Sequence, residues 1–378
     1  MRNIFLIIAV MAGLIYAQDK PGESRFLLRG YAHSGLEMRE DASTFVGGSF
    51  NPIFLWRQSQ KLLFEAELEI EVEGGETNIG LEYANMAYIL HSYAILRLGK
   101  FLLPFGAFAE KLHPAWINRM PTKPLGFGHD GVGPARGLGV ELRGGIPVGV
   151  AKMSYSVYVI NGPVLNDGSD PTLEPEEAGK VNYEPTGELE SENKAIGGRV
   201  SLLPFSNSSM EIGLSGFYSN VGQKGTEYED VTLFAYALDF SFVKKVSFLS
   251  GVIDIKAQYN AENVSDAYYT NYEDSSRYTF KNNSSSYYGQ LSYRPVNLGS
   301  DFFNSLEIVG RYSALSFPKG ALWEADQTQV AVGINYWIDW RNVIKLTYQV
   351  TDAGAHGEES GEGQESRDAV FIHWAFGF

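Results

Sequence analysis

The chain reads as all-β: a transmembrane antiparallel β-barrel of about sixteen strands, with short turns at one end and long loops at the other. Three observations predict this. First, Val370, Ile372, Trp374, Phe376 and Phe378 put a bulky apolar side chain at every second position, with Phe371, His373, Ala375 and Gly377 between them. That is a strand with one apolar face. Second, the same period of two recurs along the chain. Phe64, Ala66, Leu68, Ile70 and Val72 alternate with Glu65, Glu67, Glu69 and Glu71, and Ile253, Ile255, Ala257 and Tyr259 with Asp254, Lys256, Gln258 and Asn260. Third, the connections alternate between tight and long, so all tight turns fall at one end of a closed sheet and all long loops at the other.

Taken in order, the alternating segments are 26–38, 44–56, 61–73, 77–90, 93–101, 135–144, 150–161, 195–203, 209–219, 230–242, 248–262, 284–294, 304–316, 327–338, 342–353 and 367–378. Most run 9–13 residues, longer than sandwich strands and suited to a tilted membrane crossing. The tight connections are His91-Ser92, Gly145 to Gly149, Pro204 to Ser208 and Val243 to Ser247; the long ones are 102–134, 162–194, 263–283 and 354–366. No repeat of propeller length is present. Trp56, Tyr93, Trp337 and Trp340 fall near strand ends, where interfacial aromatic girdles are expected.

Composition agrees. The chain has 22 Tyr, 23 Phe and 41 Gly with only 20% charged residues, and these aromatics and glycines follow no helical period. Zero cysteine excludes disulfides, zinc–thiolate sites and thiol catalysis. A formal charge of −15 argues against a nucleic-acid partner. Residues 1–17 read as a signal peptide: Arg2, the apolar run Ile4 to Ile15, then Ile15-Tyr16-Ala17 before the cut. Residues 18–378 then form one barrel domain.

Segment 102–134 is expected to fold into the barrel and narrow it. It holds five prolines and five glycines, yet also Phe105, Phe108, Leu112, Trp116, Ile117, Met120 and Phe127, more apolar surface than a solvated loop uses. Its charge opposes that of the chain. Between Arg97 and Arg143 lie Arg97, Lys100, Lys111, Arg119, Lys123, Arg136 and Arg143, opposed only by Glu110, Asp130 and Glu141, with His113 and His129 able to add charge in acid. Two readings stand side by side. Arg97, Lys100, Lys111, His113, Arg119, Lys123 and Arg143 form a cationic constriction that draws anions, or these bases pair with a lumenal acidic wall of Glu65, Glu67, Glu69 and Glu82. Residues 163–193 carry nine acids against Lys180 and read as a solvated outer loop. Asn166-Asp167-Gly168-Ser169-Asp170 is similar to a calcium loop without its ligand spacing.

Leu98-Gly99-Lys100-Phe101-Leu102-Leu103-Pro104-Phe105-Gly106 resembles the Gly-x-Phe-x-x-Pro-Phe-Gly segment of the phosphate-selective porin O/P-like family, and the aromatic strand ending in Trp374, Phe376 and Phe378 resembles the closing strand of outer-membrane porins. The resemblance implies a Gram-negative outer membrane, short periplasmic turns and long extracellular loops, a constriction loop after 98–106, and a homotrimer. It implies contact with membrane lipid and lipopolysaccharide, and a closing strand read by the barrel-assembly machinery. The family's arginine ladder has no counterpart here. The inward arginines (Arg29, Arg97, Arg143, Arg199, Arg294 and Arg311) are scattered and mixed with Glu141, Glu211, Asp239, Asp254 and Glu307.

The expected function is passive diffusion of small hydrophilic solutes, and the cationic-constriction reading adds a preference for anions or phosphate. The alternatives are a channel for aromatic compounds lined by Phe105, Phe108 and Trp116, and a non-conducting scaffold barrel. No catalytic motif is present: there is no Gly-x-Ser-x-Gly, no phosphate-binding Gly-Lys-Ser/Thr and no His-Glu-x-x-His. No cofactor and no metal are implied.

Overall fold

Sixteen strands hydrogen-bond in sequence around a closed ring in a computed structural model that describes residues 25–40, 42–73, 76–128, 131–168, 175–183, 193–271, 276–296, 298–353 and 367–378. The signal-peptide expectation, His129, Asp130 and most of the acids of 162–194 lie outside these residues.

The strands in chain order are β1 (Arg25–Arg39), β2 (Ser43–Arg57), β3 (Leu62–Glu73), β4 (Glu76–His91), β5 (Ala94–Leu102), β6 (Arg136–Val148), β7 (Ala151–Asn161), β8 (Val164–Leu165), β9 (Val181–Asn182), β10 (Lys194–Leu203), β11 (Met210–Asn220), β12 (Thr232–Val246), β13 (Gly251–Val264), β14 (Tyr269–Thr270), β15 (Arg277–Tyr278), β16 (Asn283–Pro295), β17 (Leu306–Ser316), β18 (Asp326–Asp339), β19 (Asn342–Ala353) and β20 (Arg367–Gly377). The short β8–β9 and β14–β15 pairs stand apart; the other sixteen form the barrel, every neighbour antiparallel, with β1 closing on β20. Each expected strand is present. β6 and β12 run on to Val148 and Val246, beyond the expected ends at 144 and 242, so those turns are tighter than expected.

Alternation sets the two faces. On β20, Phe371, His373 and Ala375 are buried inside, while Ile372, Trp374 and Phe376 are exposed outside. Leu214, Leu238, Leu291, Ile308, Val332, Ile334 and Leu346 are likewise exposed. So much uncovered apolar surface on a closed sheet suits lipid, which also requires that every backbone group be paired within the ring. Trp56, Tyr93 and Trp340 are exposed near the end that holds the turns. Trp337 departs from the girdle expectation. It points inward, 5% exposed, and its Nε1–H donates to Glu307 Oε2 at 2.8 Å, because its register partner Val343 faces the interior.

Closure is tight. Tyr31 pairs with Gly377 and Arg39 with Ala369. Beyond the strand, the Phe378 N–H donates to the Gly30 carbonyl at 2.9 Å and the Gly30 N–H to the Phe378 carbonyl at 3.2 Å. The Phe378 ring stacks on Phe50 at 5.6 Å. A side chain at Gly30 would meet the Asn51 carbonyl at 2.4 Å and the Phe378 ring at 2.6 Å.

The strict division into tight and long connections needs correcting. At the loop end, β1–β2 and β3–β4 are joined only by residues 40–42 and 74–75. The described parts of the connections after β7, β11, β13 and β17 rise elsewhere and pack on one another, and 354–366 lies outside the described residues. Leu165, Ala178, Val181, Tyr228, Tyr269 and Phe280, with Trp323 against them, belong to one buried cluster, including a Tyr269–Phe280 ring contact at 5.1 Å. This cap sits over the β7–β18 side of the barrel. The described part of 162–194 is therefore packed into the cap through its apolar residues, not freely solvated. Asn166 Oδ1 accepts the Gly168 N–H at 2.9 Å, which makes a turn of the Asn166-Asp167-Gly168 sequence.

Replacing Gly30 by Val is expected to prevent closure. The folded, protease-resistant, heat-modifiable form seen on gel electrophoresis should be lost, whereas Gly310→Ala, where an added Cβ meets nothing within 4 Å, should keep it.

Candidate pore and its inward segment

The connection from β5 to β6 turns into the barrel at once. Leu103 N–H donates to the Ala135 carbonyl at 2.8 Å, which joins its two ends. Gly106 takes φ +67° and lies so close to Gln258 that a Cβ would fall 1.9 Å from its amide nitrogen, so only glycine fits. Gln258 Oε1 then accepts the N–H groups of Ala107 and Phe108, both at 2.9 Å, and Ser215 Oγ accepts that of Gly106 at 3.0 Å. A π-helical turn follows, Phe108–Leu112.

From there the segment crosses to the far wall. Lys345 on β19, 2% exposed, donates from Nζ to the carbonyls of Ala115 at 2.6 Å, Asn118 at 2.5 Å and Met120 at 3.2 Å. Arg311 on β17 holds the Thr122 carbonyl at 2.8 Å and that of Lys123 at 3.1 Å. Thr122 Oγ1 donates to Gln349 at 2.7 Å, and Ser286 and Asn260 donate to the Gly126 and Val132 carbonyls at 3.2 and 2.9 Å. Backbone outside regular structure must find partners, and here the polar inward side chains of β11 to β19 provide them. Phe105, Phe108 and Met120 are buried in this packing.

The sequence-predicted bases divide between two fates. Arg97 Nε lies 2.5 Å from Glu141 and Lys111 Nζ 2.7 Å from Glu211. Arg119 Nε lies 3.0 Å from Glu307, with Asp254 at 3.5 Å from Nη2. Arg143 binds Glu110, and Arg136 binds Glu82. Arg199 joins Asp239 at 2.6 Å and Glu211 at 3.0 Å. His113 Nδ1 bonds the Ala109 carbonyl at 2.6 Å, and its Nε2 is 3.9 Å from Glu67, which also accepts from the Tyr31 hydroxyl at 2.8 Å. Lys123 is exposed and has no ion pair among the described residues.

Lys100 corrects the expectation. Alternation from Arg97 puts Arg97 and Phe101 inside and Leu98 outside. Lys100 follows Leu98, pairs with outward Leu138, and donates to the Leu81 carbonyl at 2.6 Å. It is not in the pore. The free cationic surface is also corrected: Arg97 and Arg199 face carboxylates on the next strand or two, while Arg119 and Arg143 pair with acids between the segment and the wall. Of the acidic wall, Glu65, Glu67 and Glu69 lie on the inward face of β3. A bulge in β4 opposite Glu67 carries Glu82 inward, where it is 5% exposed.

Two clefts flank the π turn. One, of about 80 Å³, lies toward the loop end between the segment and the β1–β4 wall; His33, Glu69, Glu71, Glu82, His113 and Lys123 are among its lining. The other, of about 260 Å³, lies toward the turn end and is bordered by Glu110, Lys111, Arg143 and Arg199. Glu71, Lys345 and His33 were not singled out by sequence reasoning. Glu71 carries the same alternation as Glu65 to Glu69 and was within reach of it. Lys345 gives no local signal, since its partners are carbonyls some 225 to 230 residues away.

No protein-family model and no curated protein matches the chain. Solved structures do match its fold. The anion-selective porin from Comamonas acidovorans aligns with TM-score 0.58 and 13% identity over 94% of this chain and 100% of that one. OmpF of Salmonella typhi, in complex with daunomycin, gives 0.60 and 12% over 93% and 97%. The outer membrane channel DcaP of Acinetobacter baumannii gives 0.58 and 10% over 96% and 99%. The fold is that of porins. At these identities the likeness stops at the fold, and the resemblance to the O/P-like family still rests on residues 98–106, which do lie where β5 runs into the inward segment.

Two outcomes follow from the anchors. Lys345→Met should cost ~3 kcal/mol by leaving buried carbonyls unpaired, read as a lowered urea midpoint in detergent. Glu110 is opposed by burial, which raises its pKa, but the charge and hydrogen bond of Arg143, then Arg97 and Lys111, prevail and hold it below the ordinary carboxylate value. A depressed folded pKa stabilises above the unfolded value, ~4.3, and that stabilisation fades as pH falls through the lowered one. Thermal stability should therefore drop on acidification below that range, and Glu110→Gln should flatten this part of the profile.

Proposed function

We propose that the protein is an outer-membrane diffusion channel for small hydrophilic solutes, exported through a cleaved leader at residues 1–17 and inserted by the barrel-assembly machinery. In this reading the tight turns face the periplasm and the long loops, with lipopolysaccharide around them, the exterior. Segment 102–134 is the constriction, and a homotrimer is the expected assembly. The observation that carries the reading is the interior itself. Strands facing lipid on one side present Arg97, Glu141, Arg199, Asp239, Asp254 and Glu307 on the other, and a segment bonded to them leaves polar clefts on both sides of it. A barrel serving only as a scaffold has no need of so many compensated charges along a lumen.

Anion or phosphate preference loses its support, since six of the inward bases are matched by carboxylates. The route for aromatic compounds is also disfavoured. Phe105 is 2% exposed inside the main cluster, and Phe108 packs on Phe127 and Tyr288 at ring distances of 5.5 and 5.8 Å.

Purified protein in a planar bilayer should show stepwise, ohmic conductance that small uncharged sugars lower by partial entry. Absence of any conductance from folded protein would overturn the channel and favour the scaffold.

A further inference from the structure

We propose that solute passes along the β1–β4 wall, through the cleft between Glu69, Glu71 and Lys123, and that this passage prefers cations. The inference rests on the channel reading and names its route and selectivity residues.

Three observations converge on it. The inward segment is bonded along most of its length to β11, β13, β16, β17 and β19, on the opposite side of the ring. Toward the β1–β4 wall its described side-chain contacts are fewer, chiefly those of His113 with Glu67 and the Tyr31 ring. Free space therefore remains on the near side. Overhead, the aromatic cap is built from the connections after β7, β11, β13 and β17, whereas β1–β2 and β3–β4 are joined by residues 40–42 and 74–75 only. The opening above this wall carries the two shortest connections of the loop end.

The third observation is charge. Around the cleft stand Glu69, Glu71 and Glu82 against Lys123, with His33 and His113 also in its lining. Glu82 is compensated by Arg136. Glu71 has no ion pair among the described residues and faces the cleft half-exposed, as the free carboxylate opposite the free Lys123. With Glu67 behind them, acids outnumber bases on this side of the ring. Low-dielectric walls concentrate such a field within a narrow cleft. Cations are enriched and anions depleted, the reverse of what the sequence of the segment suggests when its bases are counted without their partners.

The test uses the chain of residues 1–378, which contains no cysteine and so accepts a single probe thiol without background. Reversal potentials in a potassium chloride gradient should show cation preference for the unaltered protein. A unit charge about 8 Å from a permeant ion in a water-like medium changes its local concentration about twofold. Potassium and chloride respond in opposite senses, so Glu71→Gln should shift the permeability ratio about fourfold toward chloride, and Lys123→Gln about as far toward potassium. Glu71→Cys and Lys123→Cys should lose current on treatment with a charged, membrane-impermeant methanethiosulfonate, and lipid-facing Leu214→Cys should not. Folding of each variant is checked by its heat-modifiable gel form; if one does not fold, the other carries the test alone. Anion preference in the unaltered protein, or ratios and currents that do not respond at either position, would overturn the route while leaving the channel reading intact. A folded protein with no conductance would remove both.

Discussion

The pairing of every backbone group within the ring is the constraint on which the rest depends. Lipid offers no hydrogen-bonding partner, so the sheet closes β1 on β20 and keeps no edge. Sixteen strands make a ring too wide for side chains to fill. The fold therefore creates an interior that something else must occupy. The inward faces carry the polar half of each alternation, and the β5–β6 segment satisfies its irregular backbone on them. Gln258, Lys345 and Arg311 bind carbonyls and amides that a soluble loop would leave to water.

This arrangement makes structure and selectivity share the same residues. A base that holds a carboxylate at 2.5 or 2.7 Å is a fixed part of the wall, and its field beyond that contact is largely cancelled. What a permeating ion experiences is the remainder after pairing. Counting basic residues along a segment overstates its potential wherever opposing strands supply acids, as Glu141, Glu211 and Glu307 do here.

The ring was legible in the sequence because its signal is local. A period of two needs only neighbours to be read, so all sixteen strands and the two faces of β20 follow from it. The inward turn of 102–134 was legible from apolar residues that a solvated loop cannot use. Apart from Lys100, what escaped depends on partners far away. Lys100 sits within a basic stretch, yet alternation counted from Arg97 sends it outward. Trp337 looks like a girdle residue until the β18–β19 register turns it toward Glu307. Lys345 is one more polar residue of an alternating strand until the segment brings three carbonyls to it.

The β1–β20 seam also has a kinetic meaning. Tyr31 and Gly377 are joined across nearly the whole described chain, whereas every other barrel pair links strands that follow one another. Hairpins can form as local events, one neighbour at a time, but the seam must bring together two distant edges and carries the largest loop-closure entropy in the molecule. Until it forms, both edges are exposed to pairing with other chains. The Gly30 contact, where nothing larger than hydrogen fits between Phe378 and Asn51, lies on the one pairing that an open sheet must still make to become a barrel.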